Sequence, residues 1–232
     1  MADGLFLMGT DRGVGKTILG VALVALLRKR GVDATLMTPI STGGSIESPI
    51  DLLKQVGVDD DPALTMPIKY ETLAAPYVAS LVERRPVDLE RIFDAYEALK
   101  DQGHFVVVEG GSPMVPIARN YMTLDLLRDF ELPALVIGRA GRGTLNHTLM
   151  TVRIMLAMGV FPQGVLLNGY GQYGEGFAES LNPDVLADLI DPIPVLATLE
   201  WRPEFQDDVQ AIARSLAQHD DLVTLLDGFS TV

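Results

Sequence analysis

The residues with the clearest chemistry lie near the start of the chain, in the run GTDRGVGKT at positions 9–17. Glycines allow a backbone to bend closely around an anion, and the positive end of a helix dipole favours phosphate. In this pattern Lys16 reaches the terminal phosphates of a nucleoside triphosphate, and the Thr17 hydroxyl coordinates magnesium. The leading glycine, Gly9, stands one residue further upstream than G-x-x-x-x-G-K-[ST] requires. The alternative is a glycine-rich turn that only joins a strand to a helix.

Three further polar residues have positions that suit ligand binding. Glu109 closes an apolar run and precedes Gly110 and Gly111, where a magnesium ligand opposite a phosphate loop would stand, although it could also cap the sheet edge. Asn168 carries a carboxamide that suits the edge of a purine, but Asn-Gly is equally typical of a turn. Asp51 is a first-turn acid, for which complementing the helix dipole is the favoured interpretation.

Short apolar runs alternate with helical patterns along the whole chain. The predicted strands are 5–8, 34–37, 105–108, 134–137, 164–167 and 193–197, and the predicted helices are 17–29, 89–99, 124–130, 145–158 and 185–190. Such alternation predicts an α/β fold with a doubly wound, mostly parallel sheet and helices on both faces. Ligands then bind beyond the carboxyl ends of the strands, where Gly9, Thr38, Glu109, Arg139 and Asn168 fall. We expect segment 41–76 to be a loop with one short helix.

Composition narrows the class of protein. A chain of 232 residues with 48% hydrophobic content can fold as a single nucleotide-binding domain over residues 1–232. The net charge of −13 argues against a nucleic-acid partner, because binding to nucleic acid depends on Lys and Arg. There is no cysteine, and the longest apolar run, 18–27, is half a membrane span. We expect no membrane partner and a cytoplasmic location.

Several motifs together resemble those of the dethiobiotin synthetases. GTDRGVGKT is similar to that family's GTDTxVGKT, and the match continues nearly to the end of the chain. The other similar segments are TPISTGG at 38–44, LAAPYVASLVERRPVDLERI at 73–92, VVVEGG at 106–111, GTLNHTLMT at 143–151, LLNG at 166–169 and LEW at 199–201. The resemblance implies a P-loop NTPase fold.

The resemblance also implies a reaction and its ligands. Enzymes of that family use ATP, Mg²⁺ and carbon dioxide to close a ureido ring on 7,8-diaminopelargonate, by way of a carbamate that ATP phosphorylates. The partner would therefore be a small-molecule amine or carboxylate, and the protein would be a homodimer whose second subunit helps to bind the substrate.

Residue roles follow from the same resemblance. Thr17, Asp51 and Glu109 would hold magnesium. Nucleotide contacts would come from Thr10, Asp11, Gly13, Val14, Gly15, Lys16, Thr17, Ile18, Glu109, Gly110, Gly111, Ser112, Asn168, Gly169 and Trp201. Substrate contacts would come from Ser41, Thr42, Gly143, Thr144 and Asn146, the last three from the second subunit.

The chain departs from the family pattern at three places near the chemistry. Thr38 stands where the family has a lysine that contacts the carbamate, and the loop after Glu109 is one residue shorter and contains Pro113. Arg12 replaces a threonine of the phosphate loop. We hypothesise that Arg12 restores the lost charge, the alternative being a solvated loop residue. The candidate catalytic residues are therefore Lys16, Thr38 and Arg12.

Two other functions are compatible with the same nucleotide site. One is a divergent ATP-binding accessory or switch protein that has lost the carboxylation chemistry. Partner-binding ATPases of this kind carry a lysine early in the loop, in the pattern KGGxGKT, where this chain has Asp11. The other is an amide-forming ligase of the cobyrinate-synthetase type, for which the sequence offers neither a glutaminase domain nor a catalytic cysteine.

Overall fold

A computed structural model describes residues 3–44, 49–172, 176–206 and 208–230. The strands are β1 Gly4–Gly9, β2 Ala34–Met37, β3 Ile40–Thr42, β4 Ile68–Tyr70, β5 Phe105–Glu109, β6 Pro116–Ala118, β7 Tyr121–Met122, β8 Ala134–Arg139, β9 Gly164–Tyr170 and β10 Val195–Glu200. The helices are α1 Lys16–Lys29, α2 Pro49–Gln55, α3 Pro62–Thr65, α4 Pro76–Val82, α5 Leu89–Asp101, α6 Thr123–Phe130, α7 Thr144–Ala157, α8 Phe177–Ser180, α9 Asn182–Ile190, α10 Val209–Leu216 and α11 Asp220–Ser230, with a 3₁₀ helix at Pro203–Gln206.

Six strands form one sheet in the order β10-β9-β8-β1-β5-β2, and all neighbouring pairs are parallel. Side chains of β1 alternate between two cores, as the pleat of a strand requires. Leu5 and Leu7 pack in the core that contains α1, α10 and α11, while Phe6 and Met8 pack in the core that contains α5, α6, α7 and α9. The predicted doubly wound sheet is therefore confirmed.

Helix α1 is deeply buried in the protein. Residues 19–27 are all buried, because α1 packs on the sheet with one side and contacts α2 and α10 with the other. This explains why the sequence is apolar through three turns without a polar stripe. Among the helices of the described ranges, none combines the length and apolar character that crossing a bilayer requires.

The strands of the main sheet agree with their predicted positions, with one shift. The predicted strand 193–197 instead begins at Val195 and ends at Glu200. Pro192 and Pro194 precede it, and a proline cannot donate an N–H to a sheet ladder. The helix predicted at 185–190 begins earlier, at Asn182, because Pro183 fits the first turn of a helix.

The prediction for segment 41–76 was wrong. Within its described residues there are two helices, α2 and α3, and strand β3 pairs in parallel with β4 through Ile40 and Ile68. Three-residue strands are too short to show a period-2 pattern, so local periodicity gave no signal. The sequence patterns also did not predict α4, the β6–β7 hairpin, α8, α10 and α11.

Candidate functional site

The phosphate loop connects β1 to α1 with two residues in the left-handed region. Gly13 has φ of +71° and Gly15, which caps α1, has φ of +93°. The loop is fixed by backbone hydrogen bonds from Gly9 N to Gly111 O at 2.9 Å and from Thr10 N to Ile137 O at 2.9 Å. Gly15 has no side chain to cap the helix, so the first amides of α1 are directed to a ligand.

Asn168 supports this loop from β9. Its side-chain Nδ2 donates to the carbonyl oxygen of Val14 at 3.0 Å. A Cβ atom at Gly15 would collide with the same Nδ2, so this position requires glycine for close approach as well as for its positive φ. Because one amide hydrogen is bonded to the loop, the carboxamide oxygen and the second amide hydrogen remain for a purine edge.

Lys16 folds back over the loop. Its Nζ donates to Asp11 O at 3.0 Å, and a Cβ atom at Gly9 would lie 2.6 Å from that Nζ. Burial lowers the pKa of Lys16, and the negative charges of Glu109 and Asp11 oppose this, while the positive charge of Arg12 adds to it. The ammonium group is thus desolvated, and a phosphate in the loop would provide the missing counter-charge.

Glu109 ends β5 and is held by two hydroxyl groups. Thr17 Oγ1 donates to Oε1 at 2.7 Å, and Thr38 Oγ1 donates to Oε2 at 3.1 Å. Burial raises the pKa of Glu109, against the bond from Thr17, the charge of Lys16 and the bond from Thr38. Thr38 reaches this carboxylate because β2 and β5 are paired at Met37 and Val108, which places the next residues of both strands side by side.

This arrangement suits a magnesium ion bound with phosphates. Mg²⁺ prefers oxygen ligands and keeps several from water or phosphate, so one or two protein oxygens are enough. The Thr17 hydroxyl directs its proton at Glu109, which leaves its lone pairs for a cation. Across the described ranges no cluster of three or more His, Cys, Asp or Glu forms a separate metal site.

Two cavities meet at this site. One of about 410 Å³ borders the phosphate loop and the start of α1, and the other of about 330 Å³ extends away beneath the loop after β5. The residues that line both are Arg12, Lys16, Thr38, Ile40, Thr42 and Glu109. The second cavity also has an apolar wall made of Pro39, Ala74, Ala75, Pro76, Val115, Ile117 and Leu126. It can therefore hold an aliphatic chain next to a polar, charged junction.

A third, smaller cavity of about 90 Å³ lies at the start of α7. Its lining includes Thr10, Arg139, Arg142 and Thr144. Gly143 caps α7 with φ of +85°, Thr144 is buried with its hydroxyl 3.1 Å from that of Thr148, and Asn146 is exposed. Residues 143–146 line neither of the two cavities that meet at the phosphate loop, which are the two larger ones of these three.

The structure brings most predicted nucleotide residues together. Besides those above, Ile18 lines the cavity at the phosphate loop, and Gly110, Gly111 and Ser112 line the apolar cavity. Ser41, a predicted substrate residue, also lines the cavity at the phosphate loop. Gly169 adopts φ of +79°, and Trp201 N donates to Tyr170 O at 2.7 Å, which places both beside Asn168 at the end of the sheet. Their contacts with a nucleotide stay predictions.

One predicted ligand lies apart from the others. Asp51 is exposed on the first turn of α2 and lines neither of the two larger cavities, although its neighbours Pro49 and Leu52 line the one at the phosphate loop. The sequence reading also missed the bond between Thr38 and Glu109 and the apolar lining from Val115, Ile117 and Leu126. These residues come from separate loops and helices, and no local pattern connects them.

Comparison with known proteins gives consistent matches over nearly the whole chain. The family model described as AAA domain matches residues 3–209. The chain is 36% identical to the ATP-dependent dethiobiotin synthetase of Thermodesulfovibrio yellowstonii, over 90% of this chain and 92% of the relative. It is 33% identical to the enzyme of that name from Methanocaldococcus jannaschii, over 90% of this chain and all of the relative.

Solved structures share the fold at low sequence identity. The septum site-determining protein MinD of Pyrococcus horikoshii, in complex with Mg-ADP, aligns with a TM-score of 0.60 and 18% identity over 98% of both chains. A ParA family ATPase from Chlorobium tepidum aligns with a TM-score of 0.55 and 12% identity over 99% of both chains. These structures support the P-loop NTPase fold.

Proposed function

The chain belongs to the dethiobiotin synthetase family, and we propose that it is an ATP- and Mg²⁺-dependent ligase that forms dethiobiotin from 7,8-diaminopelargonate and carbon dioxide. The observation that carries this proposal is the junction of two cavities. A phosphate loop with Lys16 and Thr17 opens directly onto an apolar cavity of about 330 Å³, and Glu109 lines both sides. An enzyme that transfers a phosphoryl group from ATP to an aliphatic substrate needs this adjacency.

ATP is a substrate of the reaction and binds at the phosphate loop. The first amides of α1 and the ammonium group of Lys16 hold its phosphates, and the desolvation of Lys16 strengthens that attraction. The Asn168 carboxamide oxygen accepts from the purine edge while its nitrogen holds the loop through Val14. The loop and the base site are therefore positioned by the same side chain.

Thr17 and Glu109 would hold magnesium, which when bound would supply positive charge to the phosphates, as in other phosphoryl-transfer sites. Glu109 orients the Thr17 hydroxyl, and Thr38 fixes the second oxygen of Glu109, so the carboxylate cannot rotate away from the loop. Asp51 is retained as a further ligand on the resemblance alone.

The diamine binds in the apolar cavity with its amino groups at the junction. One amino group adds to carbon dioxide and loses a proton, which gives a carbamate. A carbamate oxygen then takes the terminal phosphoryl group and ADP is formed. The second amino group attacks the carbamate carbon and loses a proton. The bond between that carbon and the phosphorylated oxygen breaks, phosphate leaves with this oxygen, and the ureido ring is closed. The walls formed by Ile117, Val115 and Leu126 exclude water from the activated group.

The proposed assembly is a homodimer that shares its substrate site. Residues 143–146 line neither of the two larger cavities of their own chain, which fits a role toward a second copy. Large apolar side chains are exposed beside the apolar cavity and along α7 to α9, and such surfaces favour association. They are Leu73, Val78, Leu81, Val82 and Met114 on the first surface and Met150, Leu181, Val185 and Leu189 on the second.

The test of this function is the release of ADP by the purified protein. We expect ADP release to require ATP and Mg²⁺ and to be stimulated by bicarbonate and 7,8-diaminopelargonate together. Lys16→Ala is the inactive control, and its Mg-ATP affinity should fall by about 10- to 150-fold, the range for losing a hydrogen bond to a charged group. Nucleotide binding without substrate-stimulated ADP release would instead support an accessory or switch protein.

A further inference from the structure

The junction of the two larger cavities contains two basic side chains with different surroundings. Within the described part of the chain, Arg12 and Lys16 are the basic residues that line both cavities. Lys16 is desolvated and its Nζ is bonded to Asp11 O inside the phosphate loop. Lys16 is therefore held on the nucleotide side of the junction by its bond within the phosphate loop.

Arg12 is exposed, and its guanidinium group is available to bind a ligand. Its backbone N–H donates to Asp11 Oδ1 at 2.7 Å, which fixes the main chain at the tip of the loop. Among the described residues, no hydrogen bond or ion pair is recorded for the guanidinium itself. Arg12 lines the same two cavities as Lys16, and its positive charge lowers the pKa of Lys16.

Two other polar groups at the junction are already paired with each other. Thr38 is buried and donates its hydroxyl proton to Glu109 Oε2, and Glu109 is itself an acid. Thr42 also lines both cavities, but its hydroxyl carries no charge. An anionic group on a molecule in the apolar cavity would therefore meet Arg12 as the charged donor on that side.

We propose that Arg12 is a catalytic residue that binds the two oxygens of the carbamate formed on the diamine. This proposal rests on the proposed function. A carbamate presents a planar pair of oxygens, as a carboxylate does, and the guanidinium fork donates two parallel hydrogen bonds to such a pair. Arg12 makes or breaks no covalent bond. It orients the carbamate and offsets its negative charge while the phosphoryl group, also negative, approaches from the loop.

The first test compares Arg12→Gln with Arg12→Lys and with a matched control, Arg91→Gln. Arg91 is exposed on α5 and lines neither of the two cavities that meet at the phosphate loop. We expect Arg12→Gln to lower kcat/KM for the diamine by about 10- to 150-fold. Its Kd for Mg-ATP should change by less than about threefold, because Lys16 and the α1 amides hold the phosphates. Arg12→Lys should recover part of the loss, since it restores the charge but not the fork.

Two results of that comparison would overturn the proposal. Unchanged kcat/KM in Arg12→Gln would remove Arg12 from the chemistry. An equal loss in Mg-ATP affinity and in kcat/KM would assign Arg12 to the nucleotide.

A second measurement separates this proposal from the ring-closing function. Hexanoate, which carries a carboxylate with the same planar pair of oxygens on an aliphatic chain, is titrated calorimetrically into the Mg-ADP complex. We expect binding to wild type and to Arg91→Gln that is at least tenfold weaker in Arg12→Gln. If wild type forms no dethiobiotin but this difference holds, the ring-closing function fails and the anion site stands. If dethiobiotin forms and Arg12→Gln binds the probe as wild type does, the function stands and the assignment of Arg12 fails.

Discussion

Glu109 is the residue on which the proposed magnesium site depends. It is a buried acid whose pKa is raised by desolvation, and the hydrogen bonds from two threonine hydroxyls oppose that rise. Its candidacy as a magnesium ligand could be predicted from its place after an apolar strand. The role of Thr38 could not, because the register between β2 and β5 that brings residues 38 and 109 together is a long-range property.

Replacing Thr38 should change the pH dependence of magnesium binding. Mg²⁺ requires the ionised carboxylate, so Mg-dependent ATP binding is lost as the pH falls through the pKa of Glu109. The isosteric Thr38→Val removes a hydrogen bond that lowers this pKa, and we expect the loss to occur at higher pH than in wild type. Thr38→Ser keeps the hydroxyl and is the matched control. Fluorescent ATP titrations at a series of pH values would measure the midpoint, and coinciding midpoints for all three proteins would refute the role of Thr38.

At the scale of elements, β1, the phosphate loop and α1 were predicted almost to the residue. Their signals are local, since the apolar strand, the glycines and the apolar helix follow one another directly. Segment 41–76 was mispredicted because β3 and β4 acquire their structure from pairing with each other across residues 43–67, not from their own pattern. The apolar cavity is built partly from that segment, so its shape could not be predicted from the sequence either.

Two glycines of the phosphate loop allow a matched experiment on this element. Gly13→Ala introduces a side chain at positive φ with no other heavy atom within 4 Å, so strain of about 1–2 kcal/mol is the expected cost. Gly15→Ala has the same strain and also a collision with Asn168. We expect Gly13→Ala to lower Tm by about 2–8 °C, and Gly15→Ala to lower it further and to weaken ATP binding at least tenfold relative to Gly13→Ala. Thermal denaturation and ATP titration would show equal effects if Asn168 did not support the loop.

For the whole molecule, the alternation of apolar strands with helical patterns was enough to predict one doubly wound sheet. The motif order was enough to predict the family. Neither reveals how two copies would meet in the proposed homodimer, because an interface depends on which apolar side chains remain exposed after folding, and that is decided by tertiary packing. The role that we propose for the exposed surface along α7 to α9 and for residues 143–146 could therefore be inferred only from the folded structure.

Mixed dimers would test the proposed sharing of the substrate site. Lys16→Ala disables the phosphate loop, and Asn146→Asp places a negative charge at the start of α7, where it would repel a substrate carboxylate. Each variant alone should be nearly inactive. After unfolding and refolding together in equal amounts, half of the dimers are mixed and each has one intact site, so about a quarter of wild-type activity should return. A mixture no more active than its components would show that each site is complete within one chain.

The central claim is that this chain forms a carbon–nitrogen ring with the carbon of carbon dioxide. The most direct measurement supplies the purified protein with ATP, Mg²⁺, 7,8-diaminopelargonate and ¹³C-bicarbonate and identifies the product by mass spectrometry. We predict dethiobiotin carrying one ¹³C atom in its ureido carbonyl, formed in equal amount with ADP, and its absence when bicarbonate or ATP is omitted. ATP binding without any labelled dethiobiotin would contradict the account.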